Sequence, residues 1–392
     1  MTIEGSYPDK TVANCSINAV EIYWRFMGVS KYENAIRLYQ NIASGSQLDF
    51  CIVGTFNNYP ETKDFDAVRE IFAYHERNEE YYGQMESKAD IVLIRRHDTF
   101  HGLRFDERPE EYDGIFKSLK EGHYNFDVVM EEWISNDNIR RDYKLAVLPG
   151  VSVDPSVFGP DTSILATSGA YRDQPELLDS LFDANYIRTE SENKGSYVVV
   201  KNKRIFDSFK ECNWVFVYND VHLMDYSNGY LEYMPRTKYA PVESANDFKT
   251  SGYYLTGIKK DGEKTNLIVP FGLGLHYYRY GYTEHRDILF DLLDNIMGLK
   301  PIETNAPEMA ELFYSGCPGG RMVQFVNLTG YNGRTYFAPV PINDIEVTVP
   351  FEGAKSVRNL ISGEDVEFTT DKDEMTIKLA TLGDYVALYI SQ

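Results

Sequence analysis

Four short runs decide the fold: DIVLIR (Asp90–Arg95), NFDVVM (Asn125–Met130), KLAVL (Lys144–Leu148) and SILAT (Ser163–Thr167). Each reads as a strand, and what lies between them sets the kind of sheet. Helical segments fall at Glu110–Glu121, Glu176–Ala184 and Glu284–Met297, and two further strands at Trp214–Tyr218 and Asn266–Phe271. Strands alternating with helices of this length predict an α/β fold with a mostly parallel, doubly wound sheet. Such sheets place ligands outside the carboxyl ends of their strands. The predicted site therefore lies in the loops after Arg95, Gly150 and Thr167. The stretch Asp220–Gly262, rich in Tyr, Asn and Gly with little periodicity, reads as an elaborated loop or an excursion from the sheet.

Working outward, the residues before this core alternate strand and helix only twice. NAVEIYWRF (Asn18–Phe26) is β-rich, and Glu33–Ala43 is helical with Gly45 as its stop. Leu48–Phe56 reads as a buried parallel strand, and Phe65–Tyr82 as a helix. Two βα units cannot close a sheet, so this opening piece is expected to dock on the next domain, another chain or a missing partner, and it reads as the tail of something larger. After Lys300-Pro301, short β runs at about ten-residue spacing predict a small antiparallel sandwich. The expected boundaries fall near residues 87 and 300, giving pieces 1–87, 88–300 and 301–392.

With 392 residues, 43% of them hydrophobic, the chain has ample core for two or three domains. Its net charge of −21, from 60 acids against 39 bases, argues against nucleic acid or an anionic membrane as partner. A neutral, hydroxyl-rich substrate suits that field better, with 30 Tyr, 22 Phe and 3 Trp available as flat faces, although core filling is their commoner use. Cys15, Cys51, Cys212 and Cys317 are widely spread and form no CxxC pair, which points away from zinc and structural disulfides. Neither a signal peptide nor an apolar run of about 18 residues is evident, so a cytoplasmic location is expected. Asn327-Leu328-Thr329 carries the glycosylation triplet but reads as a strand end.

Three stretches together resemble one known arrangement. NAVEIYWRF followed by ENAIRLYQNIASGSQLDFCIVGTF (Glu33–Phe56) looks like the last two strands of a barrel glycosidase. YDGIFKSLKEGHYNFDVV (Tyr112–Val129), YKLAVLPG (Tyr143–Gly150) and GPDTSILATSGAYRD (Gly159–Asp173) resemble the flavodoxin-like trimerisation domain of glycoside hydrolase family 42 β-galactosidases and related hypothetical glycosyl hydrolases. LIVPFGLGLHYYRYGYTEHRDILFDLLDNIMG (Leu267–Gly298), then MVQFVNLTG (Met322–Gly330), is similar to the close of that domain and the start of the terminal β-domain. The resemblance implies a partial (β/α) barrel remnant, a flavodoxin-like sheet and a C-terminal antiparallel β-sandwich, in a homo-oligomer, dimer or trimer, acting on carbohydrate without a cofactor. It also implies retaining hydrolysis by two carboxylates at the ends of barrel strands four and seven. Glu21, late in the strand that would be the seventh, matches the nucleophile's position, with Trp24 and Arg25 near the sugar; its carboxylate partner is absent. A Glu beside an Arg in a strand is more often a structural ion pair.

Other chemistry is weaker. Ser168 follows a predicted strand in TSGA, and with His276 or His285 and Asp173 or Asp287 it could form an esterase triad, although GxSxG is missing. No cysteine stands at a strand-to-helix elbow of the middle sheet, which closes the amidotransferase reading. His97 and His101 are four apart but read as loop histidines pairing with acids rather than metal ligands. Phe271-Gly272-Leu273-Gly274 lacks the rest of a phosphate loop, and its glycines are expected to let a strand bend. His276, Tyr277 and Tyr278 could stack on a sugar or pack between subunits. The functions left open are glycoside hydrolysis, a carbohydrate esterase, and a non-catalytic sugar-binding or oligomerisation module.

Overall fold

The computed structural model describes residues 1–54, 62–96, 109–140, 142–191, 194–241 and 244–392. In chain order its strands are β1 (Ala13–Ile17), β2 (Gln47–Cys51), β3 (Glu86–Ser87), β4 (Ile91–Arg95), β5 (Phe126–Met130), β6 (Leu145–Pro149), β7 (Ser163–Thr167), β8 (Ala184–Glu190), β9 (Ser196–Val199), β10 (Trp214–Val217), β11 (Val221–Tyr226), β12 (Gly229–Met234), β13 (Tyr254–Asp261), β14 (Lys264–Val269), β15 (Glu303–Thr304), β16 (Ala310–Cys317), β17 (Gly320–Asn327), β18 (Ile342–Pro350), β19 (Ser356–Asn359), β20 (Phe368–Asp371), β21 (Glu374–Leu382) and β22 (Tyr385–Ser391). The helices are α1 (Thr2–Ser6), α2 (Lys31–Ala43), α3 (Phe65–Arg77), α4 (Glu79–Tyr82), α5 (Glu110–Glu121), α6 (Pro175–Phe182), α7 (Leu273–Tyr280) and α8 (Thr283–Asn295).

The four deciding runs become β4 to β7, which with β14 form a parallel array in the spatial order β5-β4-β6-β7-β14. Counted along the chain that order is 2-1-3-4-5, so the direction of winding reverses between β4 and β6. Alternate residues of one strand enter two different cores, which is why the central positions of the runs are mostly apolar on both faces. Leu93, Val147 and Leu165 meet α5 and α8 through Ile115, Leu119, Leu289 and Leu292, whereas Val92, Ala146 and Ile164 meet α6 through Leu178 and Phe182. β6 and β7 pair in register up to Pro149 and Thr167, so the loops that open with Gly150 and Ser168 begin side by side.

The sheet continues beyond β14 as an antiparallel extension, β13-β12-β9-β10, with β11 paired to β8 and touching β13. Residues 220–262 thus carry three strands, β11, β12 and β13, of this extension, so the stretch is an excursion of the sheet rather than only a loop. β11 shifts register between Leu223 and Met224, which disturbs its alternation. A helix also stands where the glycines of Phe271–Gly274 suggested a bend, because Gly272 caps α7 directly.

After residue 300 two antiparallel sheets, β15-β18-β21-β20 and β19-β22-β17-β16-β3, share one core built from Val347, Ile377, Phe325 and Leu388 among others. β17 alternates faces: Val323 and Phe325 enter that core, while Met322 and Val326 turn to the opposite side against Ile36 and Ile42 of α2 and Tyr74 of α3. The opening piece thus docks on the terminal β unit of its own chain. A buried polar chain fixes the joint: Tyr74 and Tyr82 share a hydroxyl hydrogen bond of 2.6 Å, Tyr82 and Tyr385 one of 2.8 Å, and the Tyr385 hydroxyl donates to Gln324. Tyr39 stacks on Tyr385 at 4.5 Å.

Two expectations for this piece are corrected. Its first strand is Ala13–Ile17, ahead of NAVEIYWRF, whose apolar residues from Val20 onward instead form an exposed loop around a 3-10 turn at Ile22–Trp24. β1 and β2 do form a parallel pair, but β2 is not buried, since α2 and α3 cover one face of a two-stranded sheet and nothing described covers the other. The four cysteines are free. Asn327 of the glycosylation triplet is fully buried and donates to the carbonyls of Val340 and Gly383.

Candidate functional site

A cavity of about 1030 Å³ opens at the carboxyl ends of β4, β6, β7 and β14, where the strand order reverses. This is the place the alternation of strands and helices predicted. Gly150 leaves β6 with φ +64°, and its N–H donates to the Thr167 carbonyl at 3.2 Å, turning the loop over the end of β7. Ser168 takes φ +56°, a left-handed conformation that costs a non-glycine residue about 1–3 kcal/mol unless its surroundings impose it. Here they do. Its N–H donates to the carbonyls of Val269 and Phe271, at 2.9 and 3.1 Å, and the turn beyond is pinned by Tyr171, whose N–H donates to Ser152 Oγ and whose hydroxyl donates to the Val153 carbonyl. The Ser168 hydroxyl is left facing the cavity region with no hydrogen bond to a described residue.

His222 of β11 is buried beside this turn. Its Nδ1 is 2.8 Å from Thr189 Oγ1, and Nε2 would lie 3.0 Å from a Cβ at position 169, so only glycine fits there comfortably. Burial, reinforced by Arg172, lowers the imidazole's pKa and keeps it neutral near pH 7. Glu111 of α5 lies on the floor, accepting from the Thr167 hydroxyl at 2.6 Å and from the Leu275 N–H at 2.8 Å. Burial pushes its carboxyl above the usual range even against those hydrogen bonds. Arg96, Arg172, Lys194 and Arg236 line the walls. Among the described residues no group of His, Cys, Asp and Glu is arranged to hold a metal.

The structure separates the other residues singled out by sequence. His285 is not in the cavity lining: it is fully buried on α8, its Nε2–H donating to the Phe216 carbonyl at 2.9 Å. His276 stacks on it at 4.8 Å, holding the Gly272 carbonyl through Nδ1–H and accepting the Tyr218 N–H at Nε2. Tyr277 is buried too, its hydroxyl donating to Glu121, while Tyr278 stays exposed. The Ser168–His285 pairing is thus replaced by Ser168 beside His222, which sequence reading missed because His222 lies in the stretch that reads as a loop or an excursion from the sheet. The apolar residues Val221, Leu223 and Met224 of the run VHLMDY were the available signal for that strand. Glu21 sits on the exposed loop after β1 rather than within a strand, and its side chain forms no ion pair with a described residue, so the Glu21–Arg25 pair is not made. Trp24 is 62% exposed, and the Arg25 guanidinium stacks on Phe26 at 4.5 Å. His97 and His101 lie outside the described residues.

No protein-family model matches this sequence, and no curated protein does. Solved structures do. The chain superposes on α-L-fucosidase isoenzyme 2 from Paenibacillus thiaminolyticus with a TM-score of 0.77 at 11% identity, over 100% of this chain and 62% of that one. It is also similar to the β-galactosidase from Bacillus circulans sp. alkalophilus, with a TM-score of 0.65 at 13% identity over 96% and 55% of the two chains. For a GH42 β-galactosidase from G. stearothermophilus the TM-score is 0.60 at 13% identity, over 93% and 52%. At such identities the likeness is one of fold. The chain spans about half to three fifths of the length of these structures.

Proposed function

We propose that this chain is a carbohydrate-active protein of glycoside hydrolase lineage whose own ligand site is the sheet-end cavity. One observation carries the reading: the whole chain superposes on a fucosidase, and nearly all of it on β-galactosidases. In this reading residues 1–87 correspond to terminal βα units of a barrel, 88–300 to a flavodoxin-like domain, whose 2-1-3-4-5 strand order supports the name, and 301–392 to a β-sandwich. The ligand is a galactoside- or fucoside-type sugar, and the protein is a homo-oligomer. Exposed Tyr23, Trp24 and Met27 are apolar surface that suits packing against a further subunit.

Retaining glycoside hydrolysis needs two carboxyl groups about 5–5.5 Å apart, and Glu21, alone on an exposed loop, does not meet that requirement by itself. Ester hydrolysis is the second reading, favoured by Ser168 at its left-handed corner beside neutral His222. Assays on nitrophenyl galactoside, nitrophenyl fucoside and nitrophenyl acetate separate the two. We expect sugar binding, no glycoside turnover that Glu21→Ala removes, and acetate turnover unchanged in Ser168→Ala. Acetate hydrolysis that falls a hundredfold in Ser168→Ala would establish the esterase instead.

A further inference from the structure

We infer that the sheet-end cavity selects an acidic sugar, a small polyhydroxylated molecule carrying a phosphate or carboxylate, held by Lys194 and Arg236; the inference rests on the carbohydrate reading above. Charge was expected to favour a neutral ligand, since the chain carries −21. The cavity reverses that sign locally. Four cationic side chains line it against two carboxylates, Glu111 and Asp220. Both carboxylates are engaged elsewhere, Glu111 by Thr167 and Leu275, and Asp220 by the Ser191 hydroxyl at 2.6 Å. Arg172 is forked onto Asp173.

Lys194 and Arg236 are different, for neither forms an ion pair with a described carboxylate. Each is instead poised over an aromatic ring, Lys194 at 5.5 Å from Tyr218 and Arg236 at 5.2 Å from Tyr239. Cations left uncompensated at a concave site focus a positive potential there and raise the local concentration of anions. A guanidinium fork matches phosphate or carboxylate in two parallel hydrogen bonds. Tyr218 and Tyr239 offer ring faces to the C–H side of a sugar, and the free Ser168 hydroxyl offers a hydrogen bond to its oxygens. A volume of about 1030 Å³ admits a mono- or disaccharide.

Calorimetric titration of the full chain with galactose 6-phosphate, galacturonate, galactose and inorganic phosphate tests this. The expected result is binding of one or both acidic sugars at least tenfold tighter than galactose, weakened by salt. The same binding should fall at least tenfold in the Lys194→Ala/Arg236→Ala double variant, and stay unchanged in Lys378→Ala, a remote surface control. Unchanged circular dichroism in the double variant excludes a folding defect. The phosphate and carboxylate arms tell which acid is preferred. Galactose binding as tightly as its acidic counterparts overturns the inference and leaves the carbohydrate reading standing. Inorganic phosphate binding as tightly as galactose 6-phosphate overturns the carbohydrate reading, and with it the sugar half of the inference. No binding by any probe overturns both.

Discussion

Gly114→Ala destabilises the protein by about 3 kcal/mol, the upper range for overpacking, although alanine in a helix interior ordinarily gains roughly 0.5–1 kcal/mol over glycine. The reversal comes from backbone contact. α5 and α7 cross so closely that a Cβ on Gly114 would overlap the carbonyl of Gly274, and one on Gly274 would overlap the carbonyl of Glu111. Neither obstacle is a flexible side chain, so the helices must part. Parting them breaks the hydrogen bond from Leu275 N–H to Glu111 and unseats the cavity floor. Differential scanning calorimetry should show a fall of about 6–12 °C in the transition that includes the middle sheet. Lys117→Ala, on an exposed position of the same helix, should stay within about 0.5 kcal/mol of the parent. A Gly114→Ala protein as stable as its parent would mean that the helices do not meet through these glycines.

The second large effect is acid lability from the stacked histidines. His285 is fully buried, its Nδ1 has no hydrogen-bond partner among the described residues, and the ring lies against His276. Burial first, and then His276, push its pKa down to about 3. Burial lowers His276 as well. In the unfolded chain both titrate near 6.5, so from that pH downward the unfolded state takes up protons the folded state refuses. The contribution of His285 is intact above about pH 6.5 and is lost as the pH falls toward about 3, with a slope of about 1.4 kcal/mol per pH unit, and His276 adds in the same direction. His285→Phe keeps a ring against Phe216 and His276 but removes one proton site. It should lower stability at pH 7 by about 1–2 kcal/mol, through the unpaired Phe216 carbonyl, and flatten the acid slope between pH 6 and 4 by about 1.4 kcal/mol per unit. Urea denaturation across that range reads both quantities, and an unchanged slope would show that His285 is already protonated in the fold.

What was legible in the sequence follows from how burial writes itself into composition. β4, β6 and β7 lie between two helical layers, so their central positions are apolar on both faces and the run stands out; the helix Glu110–Glu121 was legible for the complementary reason, one apolar face. Once those strands were placed, the rule that ligands sit at their carboxyl ends located the cavity. NAVEIYWRF misled because its apolar residues from Val20 onward are exposed on a loop, where composition no longer reports pairing. β11 to β13 were missed because polar residues and glycine, among them Asp225, Glu232 and Gly257, break up their apolar pattern. With them went His222 and Arg236, which share a cavity with Ser168 only through long-range strand pairing. Gly274 read as loop-forming, whereas its lack of a side chain serves a helix crossing. A contact between helices far apart in sequence leaves no local mark.

The most direct test of a ligand site at the sheet end is amide hydrogen exchange of the full chain, with and without a saturating panel of neutral and acidic galactosides and fucosides. Protection should appear in the loops beginning at Gly150 and Ser168 and at Asn219–His222, with the loop Val20–Met27 unchanged. Protection confined to Val20–Met27, or no protection anywhere, would contradict it.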